Sequence, residues 1–328
     1  MTKHPSTPDG WATKITAALT AIHRLPFFEE ISQYPVDAKA IALEFSKKYF
    51  ETSYISDVQD TAFGIDGALI PFQNSKQWAI LYNPDIGSSG RINFTIGHEF
   101  GHFLLHRALA PEGGFQCSKE KIENWTFPMI IEKEANAFAA SLLMPNQDFR
   151  RQTGKEFPSL ELVDFLSDLY QVSRTAILLR WISLCAKRAK LVCSIDGYID
   201  WIYSSQDLRK SEAYINPKKQ TLPIPESSLV LTRREAFLSY DFNAPAFFQS
   251  HPKGIWSQEE DVDELAFSYS HNGSTIGISL LVYPDEAPPR KKEGIDHSPH
   301  FRISETYRGE SLSFTEEEDY QSTKQGFP

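Results

Sequence analysis

The sequence predicts an α+β protein, helix-dominated up to about Lys190 and β-rich from there to about residue 285. Two patterns carry this. Upstream, apolar residues recur at helical spacing, as in Ala38, Ile41, Ala42 and Phe45. Downstream, short apolar runs replace that spacing, and the runs Leu265–Ser270 and Ser274–Tyr283 flank Asn272-Gly273, a dipeptide favoured in two-residue hairpin turns.

The elements follow in order. Residues 10–23 and 36–50 read as helices, the second beginning after Tyr34-Pro35. Ala68–Phe72 and Trp78–Tyr82 are apolar runs separated by Gln73-Asn74-Ser75-Lys76, a hairpin signal. Asn83-Pro84-Asp85 and Gly87-Ser88-Ser89-Gly90 form a loop before a helix from about Ile92 to Arg107. A second helix, Ile130–Leu143, is stopped by Pro145. Residues 159–170 and 173–189 form a helix pair around Gln171-Val172, with Ser173 as N-cap. Leu191–Ile195, Tyr198–Tyr203 and Ser228–Thr232 read as strands, and from Glu286 the chain is a polar tail.

Composition narrows the function classes. The chain has 328 residues, long enough for two domains and a sizeable core. Its 33 basic and 43 acidic residues give a formal charge of −10, which argues against a general affinity for nucleic acid or acidic membranes. Cys117, Cys185 and Cys193 form no C-x-x-C pair, and their odd number argues against a disulfide framework, so they are expected to be idle thiols. The N-terminal residues lack the apolar stretch of a signal peptide, and no run approaches the roughly 20 apolar residues of a membrane span, so a cytoplasmic location is expected.

The chemistry concentrates in Ile96-Gly97-His98-Glu99-Phe100-Gly101-His102, an H-E-x-x-H pattern. Helix positions four apart share a face, so His98 and His102 can present imidazole nitrogens to one zinc ion while Glu99 reaches a water held beside it. Zinc acidifies such a water, and a carboxylate can then take its proton. Thr95, His98, Glu99, His102 and His106 lie on one polar arc; Ile92, Ile96, Phe100, Phe103 and Leu104 lie on the neighbouring apolar arc. Gly97 and Gly101 each cost about 1 kcal/mol in helix propensity, which points to close packing at those positions.

Catalytic zinc sites usually have three protein ligands, so a third is needed. Glu132 and Glu134 are the downstream candidates. Glu132 falls inside the arc of Ile131, Ala135, Phe138, Ala139, Leu142 and Leu143, where an ionised carboxylate needs a partner or a metal. Glu134 lies on the opposite side, expected as a solvated residue in a charge pattern with Lys133, and remains the alternative ligand. Asn136, one turn beyond Glu132, can orient a ligand by hydrogen bonding. His106 continues the histidine row, but it stands about 12 Å along the axis from His98, too far to share one ion. It is read instead as a helix-end histidine favoured by the negative C-terminal dipole.

The stretch from about Pro35 to Trp181 resembles the ImmA/IrrE family of metallopeptidases, named for a phage-element antirepressor protease and a deinococcal radiation-response regulator. The landmarks are Tyr82-Asn83-Pro84, R-I-N-F-T-I-G-H-E-F-G-H-F-L-L-H from Arg91 to His106, I-E-K-E-A-N-A-F-A-A-S-L-L-M-P from Ile131 to Pro145, and Val172-Ser173-Arg174-Thr175-Ala176. The resemblance implies a zincin-like metallopeptidase domain over 1–158 and a helix-turn-helix-like pair over 159–189, while the pattern beyond, which matches no family motif, reads as a β-rich C-terminal domain of unknown role over 190–285 and a polar tail over 286–328. It implies zinc held by His98, His102 and Glu132, with Glu99 as general base. It also implies a substrate class, helix-turn-helix transcriptional repressors cleaved to lift repression. The run Trp78–Tyr82 is a candidate strand for pairing with an extended substrate.

Two other functions compete. The 159–189 pair is a candidate for DNA binding, but Arg174–Ile182 is mostly apolar, whereas a groove-reading helix needs a polar face. A metal-bound, non-proteolytic sensor would have no use for a carboxylate beside the metal such as Glu99.

Overall fold

The structure is a computed structural model and describes residues 4–23, 33–61, 64–72, 76–85, 88–110, 113–117, 129–154, 157–210, 221–233, 247–271 and 273–285. The tail expected from Glu286 lies outside the described residues. The described elements make an α+β fold with two sheets and a β-rich C-terminal region.

The expected helices form, with ends set by local hydrogen bonds. α1 runs Pro8–His23 and α2 runs Ala38–Tyr49, where the Asp37 side chain accepts from the Ala40 N–H. The motif helix α3 spans Ser89–His106 and starts earlier than its apolar periodicity suggests, because the Ser88 hydroxyl caps it by accepting from the Arg91 N–H. α4 spans Met129–Leu143, and a helix not foreseen, α5 (Asn146–Thr153), follows Pro145 directly.

The first sheet has strands β1 (Ile55–Asp60), β2 (Gly67–Pro71), β3 (Trp78–Tyr82) and β4 (Phe115–Cys117) in the order β1-β3-β2-β4. β2 and β3 form the expected antiparallel pair, with Leu69 opposite Ile80. β3 also pairs in parallel with β1, so both its edges are filled. The expectation that Trp78–Tyr82 pairs with a substrate is therefore corrected: its backbone groups are already bonded within the sheet. β4 is an edge strand among the described residues, bonded to β2 through Gly67, Ala68 and Leu69.

The helix pair is α6 (Leu160–Tyr170) and α7 (Arg174–Leu184), with Ser159 and the expected Ser173 accepting at the two N-termini. α7 stops well short of residue 189 because Cys185 turns extended and Ala189 opens β5 (Ala189–Ile195), an interior strand bonded on both sides. Ile177, Leu178, Leu179, Trp181 and Ile182 are all buried.

β5 joins β6 (Tyr198–Ser204), β7 (Phe247–His251), β8 (Val262–His271) and β9 (Ser274–Val282) in an antiparallel sheet ordered β6-β5-β9-β8-β7. β8 and β9 are the hairpin expected around Asn272-Gly273. Ser228–Thr232, expected as a strand, is instead a short helix over Leu229–Thr232. The Ser228 hydroxyl caps it, and the buried Glu264 carboxylate accepts from the Ser228 hydroxyl and the Leu229 N–H, a capping arrangement a strand cannot use.

Side chains alternate across the second sheet with strand period. Leu191, Cys193, Leu265, Phe267 and Leu280 join the main apolar cluster, which also holds Phe100, Phe138 and Trp181. Val192, Ala266 and Leu281 face a smaller cluster with Leu229 and Val230. The main core is thus continuous across residue 190.

Candidate metal centre

The centre is built by the crossing of α3 and α4. Their apolar arcs bury as expected: Ile96, Phe100, Phe103 and Leu104 on one side, Ile131, Ala135, Phe138, Ala139, Leu142 and Leu143 on the other. Small residues meet at the crossing. A Cβ on Gly101 would stand 3.1 Å from both the Ala135 Cα and the Phe138 ring, and one on Gly97 would stand 3.5 Å from the Ala139 Cβ. Residues 97 and 101 meet 139 and 135 in reverse order, so the helices run antiparallel and the polar arc of α3 faces Glu132 and Asn136.

That polar arc is also buried. His98 is 7% exposed, His102 and Glu99 are fully enclosed, and Glu132 is 6% exposed. Burying so many polar groups is tolerable only where they are paired or bind an ion.

The three expected ligands converge. His98 Nε2 and His102 Nε2 are 3.0 Å apart, and the Glu132 oxygens lie 3.3 Å from the first and 3.4 Å from the second. Donors at tetrahedral corners about 2.0–2.2 Å from a zinc ion stand about 3.3–3.6 Å from one another. The two imidazole nitrogens and the Glu132 carboxylate, with one oxygen toward each ring, are spaced close to that range, and among the described residues these three form a group able to hold a metal ion. Glu134 stands apart from it, paired with His106 at 2.9 Å.

Charge and protonation agree with a cation at this point. Burial pushes the His102 pKa down to about 4, against the pull of Glu132, leaving the neutral imidazole that a metal requires. At His98 burial acts downward, yet Glu132, Glu99 and Asn136 together raise the pKa, so the carboxylates favour positive charge there. Burial would raise the Glu132 pKa, but the two histidines outweigh it and hold the carboxyl below its usual range. The donor set, two imidazoles and a carboxylate, suits zinc.

The surrounding contacts fix the rings. His98 Nδ1 lies 2.9 Å from Asn136 Oδ1, the orienting contact expected of Asn136. His102 stacks on Phe115 of β4, with centroids 4.6 Å apart and 17° between planes. Sequence reasoning missed Phe115, because a three-residue strand shows no periodicity. Glu99 lies against the first residue of β2: a Cβ on Gly67 would stand 2.8 Å from Glu99 Oε1.

His106 does more than end a helix. It ends α3 as expected, but it is 3% exposed, with Nδ1 3.2 Å from His102 Nδ1 and Nε2 2.9 Å from Glu134. Glu134 is correspondingly engaged with His106 rather than simply solvated beside Lys133. The histidine row is visible in the sequence, but the partner of His106 on the next helix is not.

Comparisons with known proteins were made on this background. Residues 61–181 match the sequence profile of the IrrE N-terminal-like domain, a peptidase family. No curated protein sequence matches. A solved structure titled Mycobacterium tuberculosis transcriptional regulator is similar at 13% identity and TM-score 0.48, over 82% of this chain and 76% of that one. Among the described residues, no helix is long and apolar enough to cross a membrane.

Proposed function

We propose that this chain, whose residues 61–181 match the IrrE N-terminal-like domain, is a cytoplasmic zinc-dependent endopeptidase of the ImmA/IrrE type that cleaves a helix-turn-helix transcriptional repressor. The observation carrying the reading is the convergence of His98 Nε2 and His102 Nε2, 3.0 Å apart, on the Glu132 carboxylate, whose two oxygens lie 3.3 Å from the first and 3.4 Å from the second. The substrate class rests on the family resemblance.

His98, His102 and Glu132 would hold the ion. Zinc there would act as a Lewis acid, acidifying a water and polarising the scissile carbonyl. Glu99, next to His98 in sequence and close enough to shift its titration, would serve as the general base, taking a proton from the attacking water and giving it to the leaving amine. Asn136 holds His98 with Nε2 turned inward, and Phe115 holds the His102 ring from its face.

The DNA-binding alternative is weakened by α7, whose buried run Ile177–Ile182 leaves little polar surface for base edges. Incubating the zinc-loaded chain with the helix-turn-helix repressor encoded nearest its gene, with and without chelator, tests the proposal. Fragments from a single cut, lost with chelator and regained with zinc, are expected. An intact repressor would remove the substrate class, and cleavage indifferent to chelator would remove the metal mechanism.

A further inference from the structure

We propose that His106 and Glu134 are positioning residues that fix the tautomer and ring orientation of His102 through a two-step hydrogen-bonded relay. The inference rests on the zinc reading above, because the relay has meaning only if His102 Nε2 is a metal ligand.

The argument is one of proton placement. His102 directs Nε2 at His98 and Glu132, at 3.0 and 3.4 Å. A nitrogen that gives its lone pair to a metal carries no proton, so the proton of the neutral ring sits on Nδ1. His102 Nδ1 lies 3.2 Å from His106 Nδ1, which must then accept. That places the His106 proton on Nε2, which donates to Glu134 Oε2 at 2.9 Å. A metal at one end of the row thus determines every tautomer up to the carboxylate, and the carboxylate in turn favours the tautomers the metal needs. Ligand histidines commonly donate their second nitrogen to a carboxylate, carbonyl or water. Here the carboxylate acts through an intervening imidazole.

The two ligand histidines are therefore held differently. His98 is held from α4 by the amide of Asn136, and His102 from its own helix by His106, itself tied to α4 by Glu134. The burial supports this division: His106 is 3% exposed, while the Glu134 side chain is 41% exposed. A buried imidazole needs partners for both nitrogens, and the relay supplies them. A helix-dipole role alone gives no reason for His106 Nδ1 to face His102.

The test is zinc affinity, measured by competition with a chromophoric chelator, with side-chain ¹⁵N NMR of the zinc-loaded protein to read the His102 tautomer. His106→Leu removes the acceptor and is expected to weaken zinc binding roughly 10–100-fold, the usual effect of losing such a partner. His106→Asn places an amide oxygen near the Nδ1 position and is expected to bind within about threefold of the unaltered chain. Glu134→Leu is expected to weaken zinc binding in the same direction, and Glu134→Gln, which still accepts, to do so less. Glu134 lies near the surface, so its variants decide the matter should His106→Leu not fold. Wild-type affinity in His106→Leu or Glu134→Leu, or a His102 ring protonated at Nε2 with zinc bound, would overturn the relay alone. An unaltered chain that takes up no zinc would overturn the peptidase reading and the relay with it.

Discussion

Gly101 and Ala135 meet where α3 crosses α4, so closely that a Cβ on residue 101 would lie 3.1 Å from the Ala135 Cα and 3.2 Å from its carbonyl oxygen. Both are backbone atoms of a fully buried residue and have nowhere to go. Gly101→Ala gains about 1 kcal/mol in helix propensity. It also forces apart the two helices that carry the ligands, at an overpacking cost of about 1–3 kcal/mol. Gly97 faces Ala139 at an ordinary 3.5 Å. Urea denaturation of the metal-free protein should show Gly101→Ala destabilised and Gly97→Ala unchanged or stabilised. The reverse order would mean the crossing is not as close as described.

Gly67 makes a different kind of contact. A Cβ there would meet Thr95 Cγ2 at 2.6 Å, Glu99 Oε1 at 2.8 Å and Glu99 Cγ at 3.2 Å, side-chain atoms of two buried residues. Gly67→Ala is therefore expected to displace the Glu99 carboxylate, the proposed base. A misplacement of about 1 Å can lower turnover roughly 100-fold. Peptide cleavage should drop by about 10–100-fold with zinc content unchanged. Full activity in this variant would show that Glu99 has room to spare.

Glu99 and Glu132 separate chemistry from binding. Glu99→Gln keeps the shape of the side chain but removes the base, so cleavage should fall by at least about 100-fold while zinc stays near one per chain. Glu132→Gln replaces a charged ligand with a weak one, and its zinc affinity should fall further than the roughly 10–100-fold expected when an outer partner is lost. Metal analysis after dialysis against a mild chelator reads the difference. Equal zinc retention in the two variants would remove Glu132 from the ligand set.

The convergence of the candidate ligands was legible in the sequence because helical geometry is local. Four-residue spacing put His98 and His102 on one face, and the same wheel put Glu132 on the buried side of α4. Non-local relations were not legible. Whether Trp78–Tyr82 is an edge or an interior strand depends on β1, whose sequence Ile-Ser-Asp-Val-Gln-Asp alternates too weakly to announce a strand. Ser228–Thr232 has β-branched and apolar residues, yet Glu264, some thirty residues later in the chain, helps set it as a helix. His106 was visible, but its role depends on Glu134 of the next helix.

The idle-thiol reading of Cys193 has a measurable form. It lies in the interior strand β5, 5% exposed, and burial, aided by the charge of Asp200, pushes its pKa up to about 12. The thiolate is the reactive species, so at pH 8 roughly one native thiol in ten thousand is available, against about a quarter of unfolded ones. Between about pH 9 and 12 the unfolded thiol has lost its proton and the native one keeps it, so the unfolded state binds fewer protons. Stability must then fall as pH rises through that window, by at most about 1.4 kcal/mol per pH unit. Cys193→Ala removes this contribution without removing those of other groups. The stability difference between the unaltered chain and Cys193→Ala should therefore shift against the thiol as pH rises from 9 toward 11. Iodoacetamide should label Cys193 in the native protein at pH 8 at least about a thousandfold more slowly than in urea. Rapid native labelling, or a difference that does not change with pH, would show that the thiol is not enclosed by the sheet.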